Sequence, residues 1–143
     1  MPFFICPNCK NRSLDHDGRH GLLQQAVACE RCGFGFLFEL LDDYYPSPNA
    51  GLVVCDKSGR VLAVGRGVFE LTGYRDPDLM GHVVWEALGL DAAPAKLTLE
   101  WGVRRLGEQL ELRTRAGTTK PVVADFFPAY DDDGGLLVAL APR

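Results

Sequence analysis

Little in this sequence points to chemistry on a substrate. It has no Gly-rich phosphate loop, no Ser-x-x-Lys motif and no paired carboxylates in a catalytic context, so the common signatures of phosphate-handling and nucleophilic enzymes are missing. No apolar run reaches the roughly 18 residues a membrane helix needs, and no basic segment leads into an apolar one. Neither a membrane span nor a signal peptide is indicated, and the expected compartment is the cytoplasm. A basic excess is also lacking. The net charge is −4, and in residues 1–40 Lys10, Arg12, Arg19 and Arg31 are balanced by Asp15, Asp17, Glu30 and Glu39. Nucleic-acid binders carry a concentrated positive patch, so a nucleic-acid partner is disfavoured.

Against that background the cysteines stand out. Cys6-Pro7-Asn8-Cys9 and Cys29-Glu30-Arg31-Cys32 are two Cys-x-x-Cys pairs separated by 19 residues. Two residues between cysteines let one tight turn aim both sulfurs at one point, and two such turns complete a tetrahedron around an ion. In a reducing compartment such pairs read as metal ligands rather than disulfides. Cys6, Cys9, Cys29 and Cys32 are therefore the expected ligands of a structural zinc. Iron is the alternative, since a rubredoxin-like redox site uses the same four thiolates. A segment near 40 residues buries too little apolar surface to fold unaided, so the metal explains how residues 1–41 stand as a unit. Phe3-Phe4-Ile5 leads into the first pair, Leu22 to Ala28 into the second, and Phe34 to Phe38 leaves it. Asp15 to Arg19 reads as a turn, with His16 and His20 as exposed loop residues. Gly33 suits the left-handed residue that closes such a knuckle, and Lys10 stands at the equivalent place in the first pair. This arrangement resembles a zinc ribbon.

Residues 42–49 form a linker whose Pro46 and Pro48 break any helix; Tyr44 and Tyr45 are its anchors, in either a short helix or an extended arm. From residue 50 to 143 the pattern changes. Gly51 to Asp56 and Val61 to Val64 flank a hairpin turn. Four short helices follow: one closed by Gly73, one capped by Asp76 with Pro77 behind it, one over Val83 to Leu88, and one over Ala95 to Arg104 with Leu97 and Trp101 on one face. The period then becomes two. Leu110, Leu112 and Thr114 alternate with Glu111, Arg113 and Arg115; Val122, Ala124 and Phe126 continue the alternation; and Asp131 to Gly135 turns the chain into a last strand, Leu136 to Leu140.

These words, in this order, resemble a PAS domain over nearly all of residues 50–142: Gly51 to Asp56, Ser58-Gly59-Arg60, Phe69 to Tyr74, Leu79-Met80-Gly81, Trp85-Glu86, Leu112 to Gly117, Pro121-Val122 and the Asp132 to Gly135 turn. One departure is visible, Val64-Gly65-Arg66-Gly67 where the family often has Asn-Pro at the entry to the first helix. The resemblance implies an α+β fold with a five-stranded antiparallel sheet and helices inserted between strands two and three. It also implies a sensory or dimerisation role rather than catalysis.

The family's cofactor positions are not matched. The third helix has no reactive cysteine for flavin photochemistry and the fourth has no histidine for haem, so neither cofactor is expected. His82 reads as a surface residue and Cys55 as a buried core thiol. Val53, Phe69, Trp85, Trp101, Leu112, Phe126 and Leu140 are the candidate wall of a ligand pocket, the alternatives being an unidentified small molecule between them or a core they fill themselves. Arg104, Arg105, Arg113 and Arg115 read as a solvated positive face. The sequence ends at Arg143, directly after the last strand, with no kinase, cyclase or DNA-binding segment within it, so output is expected through a partner protein or a region outside this sequence, with the chain a homodimer. A transcriptional regulator using the ribbon on nucleic acid and an iron-thiolate redox protein are the competing readings.

Overall fold

The computed structural model describes residues 3–14, 29–35, 37–41, 44–129 and 134–143. The turn expected at Asp15 to Arg19, with His16 and His20, the strand Leu22 to Ala28, and Asp131 to Asp133 lie outside the described residues. The first part of the chain forms a small antiparallel sheet of β1 (Phe3–Ile5), β2 (Arg12–Leu14) and β3 (Phe38–Leu40), in the order β2-β1-β3. Residues 12–14 are a strand that the sequence reading missed. β3 begins later than expected because the Phe34 carbonyl still accepts the Cys29 N–H at 2.8 Å, which keeps Phe34 inside the knuckle.

The second part runs β4 (Gly51–Cys55), β5 (Val61–Val64), α1 (Val68–Thr72), α2 (Asp76–Leu79), α3 (Val84–Ala87), α4 (Ala93–Trp101), β6 (Arg105–Arg113), β7 (Thr119–Pro128) and β8 (Leu136–Pro142). Its five strands pair antiparallel in the order β5-β4-β8-β7-β6. Strand residues alternate between faces, and here both faces are apolar. Val53, Leu112, Phe126, Val138 and Leu140 point to the helices and pack with Val68, Leu79, Val84 and Leu88. Leu52, Val54, Ala63, Phe127, Leu137 and Ala139 point the other way. That second face is covered by the first part of the chain, whose Ile5, Phe38 and Leu40 belong to the same buried cluster.

The helices differ from the sequence reading in two places. α2 is capped at Arg75, whose N–H donates to the Asp78 carboxylate at 3.0 Å, so Asp76 is already helical. α4 stops at Trp101 rather than Arg104, because Gly102 turns left-handed (φ 67°) and donates to the Thr98 carbonyl. The buried side of α4 is Pro94, Ala95 and Thr98; Leu97 and Trp101 face solvent. α1 ends at Gly73 as expected.

Candidate metal centre and its junction with the sheet

The two knuckles are built alike. In the first, Cys6 N–H donates to Asn11 and the Lys10 N–H donates back to the Cys6 carbonyl. In the second, Cys29 N–H donates to Phe34 and the Gly33 N–H donates back to Cys29. Both loops need a left-handed residue at the fifth position, filled by Gly33 (φ 80°) and by Lys10 (φ 64°). Among the described residues Lys10 is the one non-glycine with positive φ. Its Cβ makes that conformation cost about 1–2 kcal/mol more than the right-handed one.

Facing each other, the knuckles bring four sulfurs together. Cys6 Sγ lies 3.6 Å from Cys32 Sγ, Cys9 Sγ lies 3.7 Å from Cys29 Sγ, and all four are within 4.8 Å of one another. A tetrahedron with metal–sulfur bonds of roughly 2.3 Å has edges of roughly 3.8 Å, so the set fits one four-coordinate ion. The separations are far beyond a disulfide, and all four cysteines are free. Burial pushes the Cys6 and Cys9 thiols up, whereas the Phe34 N–H pulls Cys32 down to about 6. Four protein ligands leave no open coordination position for a substrate.

The first knuckle is seated on the second part of the chain. Asn8 spans the junction: its Nδ2 lies 3.7 Å from Cys32 Sγ, and its Oδ1 accepts the Arg66 N–H at 3.0 Å. A side chain at Gly65 would overlap the Pro7 carbonyl oxygen. Gly67 is left-handed (φ 103°), and a Cβ there would come within 2.8 Å of the Ala50 carbonyl. The Gly65-Arg66-Gly67 entry to α1 therefore has a physical reason: Gly65 leaves room for the knuckle's backbone and Gly67 for that of Ala50. Sequence reasoning missed Asn8; the signal was available in the coincidence of an unusual glycine pair with a cysteine knuckle.

Over its described residues the linker is not helical: residues 44–47 have no regular secondary structure, and Pro48 and Asn49 form a turn in which the Ala50 N–H donates to the Ser47 carbonyl at 2.9 Å. Tyr44 packs on Phe127, with ring centroids 4.6 Å apart, and its hydroxyl donates to Asp125. Burial first, and then Asp125, push the phenol well above its ordinary range. The other Asp125 oxygen accepts the Gly107 N–H at 2.7 Å, where β6 is irregular in its pairing with β7. Tyr45 lies under the Arg12 guanidinium at 3.4 Å.

Of the seven candidate pocket residues, Val53, Leu112, Phe126 and Leu140 are fully buried between sheet and helices. Trp85 is partly buried beside them, and a Cβ at Gly59 would overlap its ring. Phe69 and Trp101 stand elsewhere. Phe69 is 44% exposed with the Arg75 guanidinium over its ring, and Trp101 is 70% exposed. Both were assigned inward because they are large and apolar, but α1 and α4 turn other residues to the core. Cys55 is buried, and burial raises its thiol far above the reactive range; His82 is exposed.

No protein-family model and no curated protein matches the chain. Solved structures do. The PAS domain of an HTR-like protein from Haloarcula marismortui is 20% identical with a TM-score of 0.57, over 68% of this chain and 83% of that one. The PAS domain of nitrogen regulation protein NR(II) from Vibrio parahaemolyticus is 12% identical at 0.57, over 68% and 92%. A fungal LOV domain photoreceptor is 16% identical at 0.61, over 72% and 81%. The second part of the chain has a PAS-like fold. No described helix is long and apolar enough to cross a membrane.

Proposed function

We propose that this chain is a non-catalytic regulatory protein of the cytoplasm. In this reading a PAS-like sensor domain has its open sheet face capped by a structural zinc ribbon, and it passes its signal on by protein–protein contact. The observation that carries the reading is the shared cluster of Ile5, Phe38 and Leu40 with Leu52, Val54, Phe127 and Leu137. A ribbon that completes the sensor's core makes the metal a staple, and full coordination by four thiolates agrees with that role. Solved neighbours include a nitrogen regulation protein and a sensor histidine kinase, which supports signalling over catalysis.

The partner in this proposal is a second copy of the chain. Trp101, Val103 and Leu106 are 70%, 61% and 50% exposed, and they lie within six residues between the end of α4 and the start of β6, the edge strand of the sheet. An edge strand presents unpaired backbone groups beside these side chains, and exposed tryptophan is a typical interface anchor. Native mass spectrometry with metal analysis tests the reading. The expected result is a dimer with one zinc per chain, converted to monomer by Trp101→Glu without loss of zinc. A wild-type chain that stays monomeric at high concentration sinks the dimer, and one iron per chain with visible absorbance replaces the staple by a redox site.

A further inference from the structure

The junction between the first knuckle and the sheet contains a cleft of about 450 Å³, within the roughly 300–1,000 Å³ of small-molecule sites. Three cations from three separate segments line it: Lys10 behind Cys9, Arg66 in the β5–α1 loop, and Lys120 on β7. Glu70 is its one acidic lining residue, while Leu71 and Pro48 give it an apolar side. Lys120 Nζ is held by the Leu71 carbonyl at 3.2 Å. Among the described residues neither Lys10 nor Arg66 makes a salt bridge.

Lys10 is the informative member. The second knuckle solves the same backbone problem with Gly33, with the same hydrogen bonds and without strain. The first knuckle carries a lysine there against the backbone preference. Strain of this kind marks a position whose side chain is needed, and here the side chain reaches the cleft. Three cations and one carboxylate leave the lining at +2. A phosphate monoester carries about −1.5 to −2 at neutral pH, and the planar guanidinium of Arg66 suits two oxygens of one phosphate.

We propose that this cleft binds a small organic phosphate, its phosphate among Lys10, Arg66 and Lys120 and its organic part against Leu71 and Pro48. The ligand would contact both parts of the chain and so tighten the ribbon on the sensor domain. This site is distinct from the core between sheet and helices, and it does not depend on the chain being a dimer.

Calorimetric titration of the full metal-loaded protein at constant ionic strength tests it, with adenosine monophosphate, inorganic phosphate and succinate as probes. Adenosine monophosphate should saturate one site per chain, and succinate should bind more weakly. Lys10→Gly should weaken the nucleotide by about tenfold or more, as expected for loss of a charge-assisted contact. Because glycine relieves the left-handed strain, that variant should keep its metal and melt no lower than wild type, and Arg66→Gln should weaken the nucleotide without altering the knuckle. Three results would overturn the proposal: no saturable binding of either phosphate, succinate binding as tightly as the nucleotide, or a Lys10→Gly protein that binds as wild type does, whatever its metal content.

Discussion

Stripping the metal should damage more than the 40 residues that hold it. Leu52, Val54 and Leu137 are 0% exposed and Phe127 is 3% exposed, all on the face that Ile5, Phe38 and Leu40 cover. Losing that cover returns these four side chains to water. At about 1.5–3 kcal/mol each, the loss is roughly 6–12 kcal/mol, an upper figure because loosened chain still shields part of the face. The whole stability of a domain this size is about 5–15 kcal/mol. A structural zinc supplies on the order of 10–16 kcal/mol to the segment it folds, so on the proposed reading chelation should release residues 1–41 and with them most of what holds the outer face of the sheet closed.

The assay is calorimetric unfolding of the reduced protein with and without a strong chelator, followed by re-addition of zinc. At about 2–4 °C per kcal/mol, even the lower figure moves the melting temperature by more than about 10 °C. The stripped protein should also bind a hydrophobic dye, and zinc should reverse both effects. A metal-free chain that melts within a few degrees of the loaded one, with no dye binding, would refute the reasoning, since the outer face would then be covered without the metal.

Three further outcomes follow from the contacts. Tyr44→Phe keeps the ring on Phe127 but removes the hydroxyl from Asp125, and loss of a hydrogen bond to a charged group should cost about 1.5–3 kcal/mol in denaturant unfolding. Gly65→Ala puts a methyl onto the Pro7 carbonyl; the knuckle must lift away, and proteolysis within residues 1–41 should accelerate, whereas Gly35→Ala, with open space around it, should change little. Asp56 gives a pH effect. Burial pushes its carboxyl up, but hydrogen bonds from the Ser58 hydroxyl and the Arg60 and Ser58 N–H groups outweigh this and leave it below its ordinary value. Its stabilisation is therefore fully present above the unfolded value near about 4 and is lost as pH falls through the folded value; Asp56→Ala should melt lower than wild type at pH 7 and converge on it in acid.

Much of the architecture was legible because it rests on local rules. The change from helical to two-residue period after Arg104 placed the last three strands, and Gly73 ended α1 where a left-handed cap was expected. Errors arose where neighbours in space decided. Trp101 and Phe69 look like core by size, but α4 turns Pro94, Ala95 and Thr98 inward and α1 turns Val68, Leu71 and Thr72 inward, which leaves both aromatics exposed. The Arg75 cap was missed because Asp76 is the better capping residue by type, while Asp78 reaches the Arg75 N–H. β8 is hidden on both faces: Leu137 and Ala139 are as buried as Val138, since a second layer covers them.

The convergence of Cys6, Cys9, Cys29 and Cys32 was legible in the sequence alone, because two residues between cysteines bring both sulfurs to one point whatever surrounds them. So was the PAS-like order of strands and helices, since periodicity and turn residues act over a few positions. Where the cysteine module packs was decided only by the tertiary structure. Ile5, Phe38 and Leu40 close the outer face of the sheet, Asn8 joins the thiolates to the loop before α1, and Lys10, Arg66 and Lys120 meet across the junction. These residues lie up to 115 positions apart (Ile5 to Lys120). No local rule relates them, and only the packing of one sheet on another brings them together.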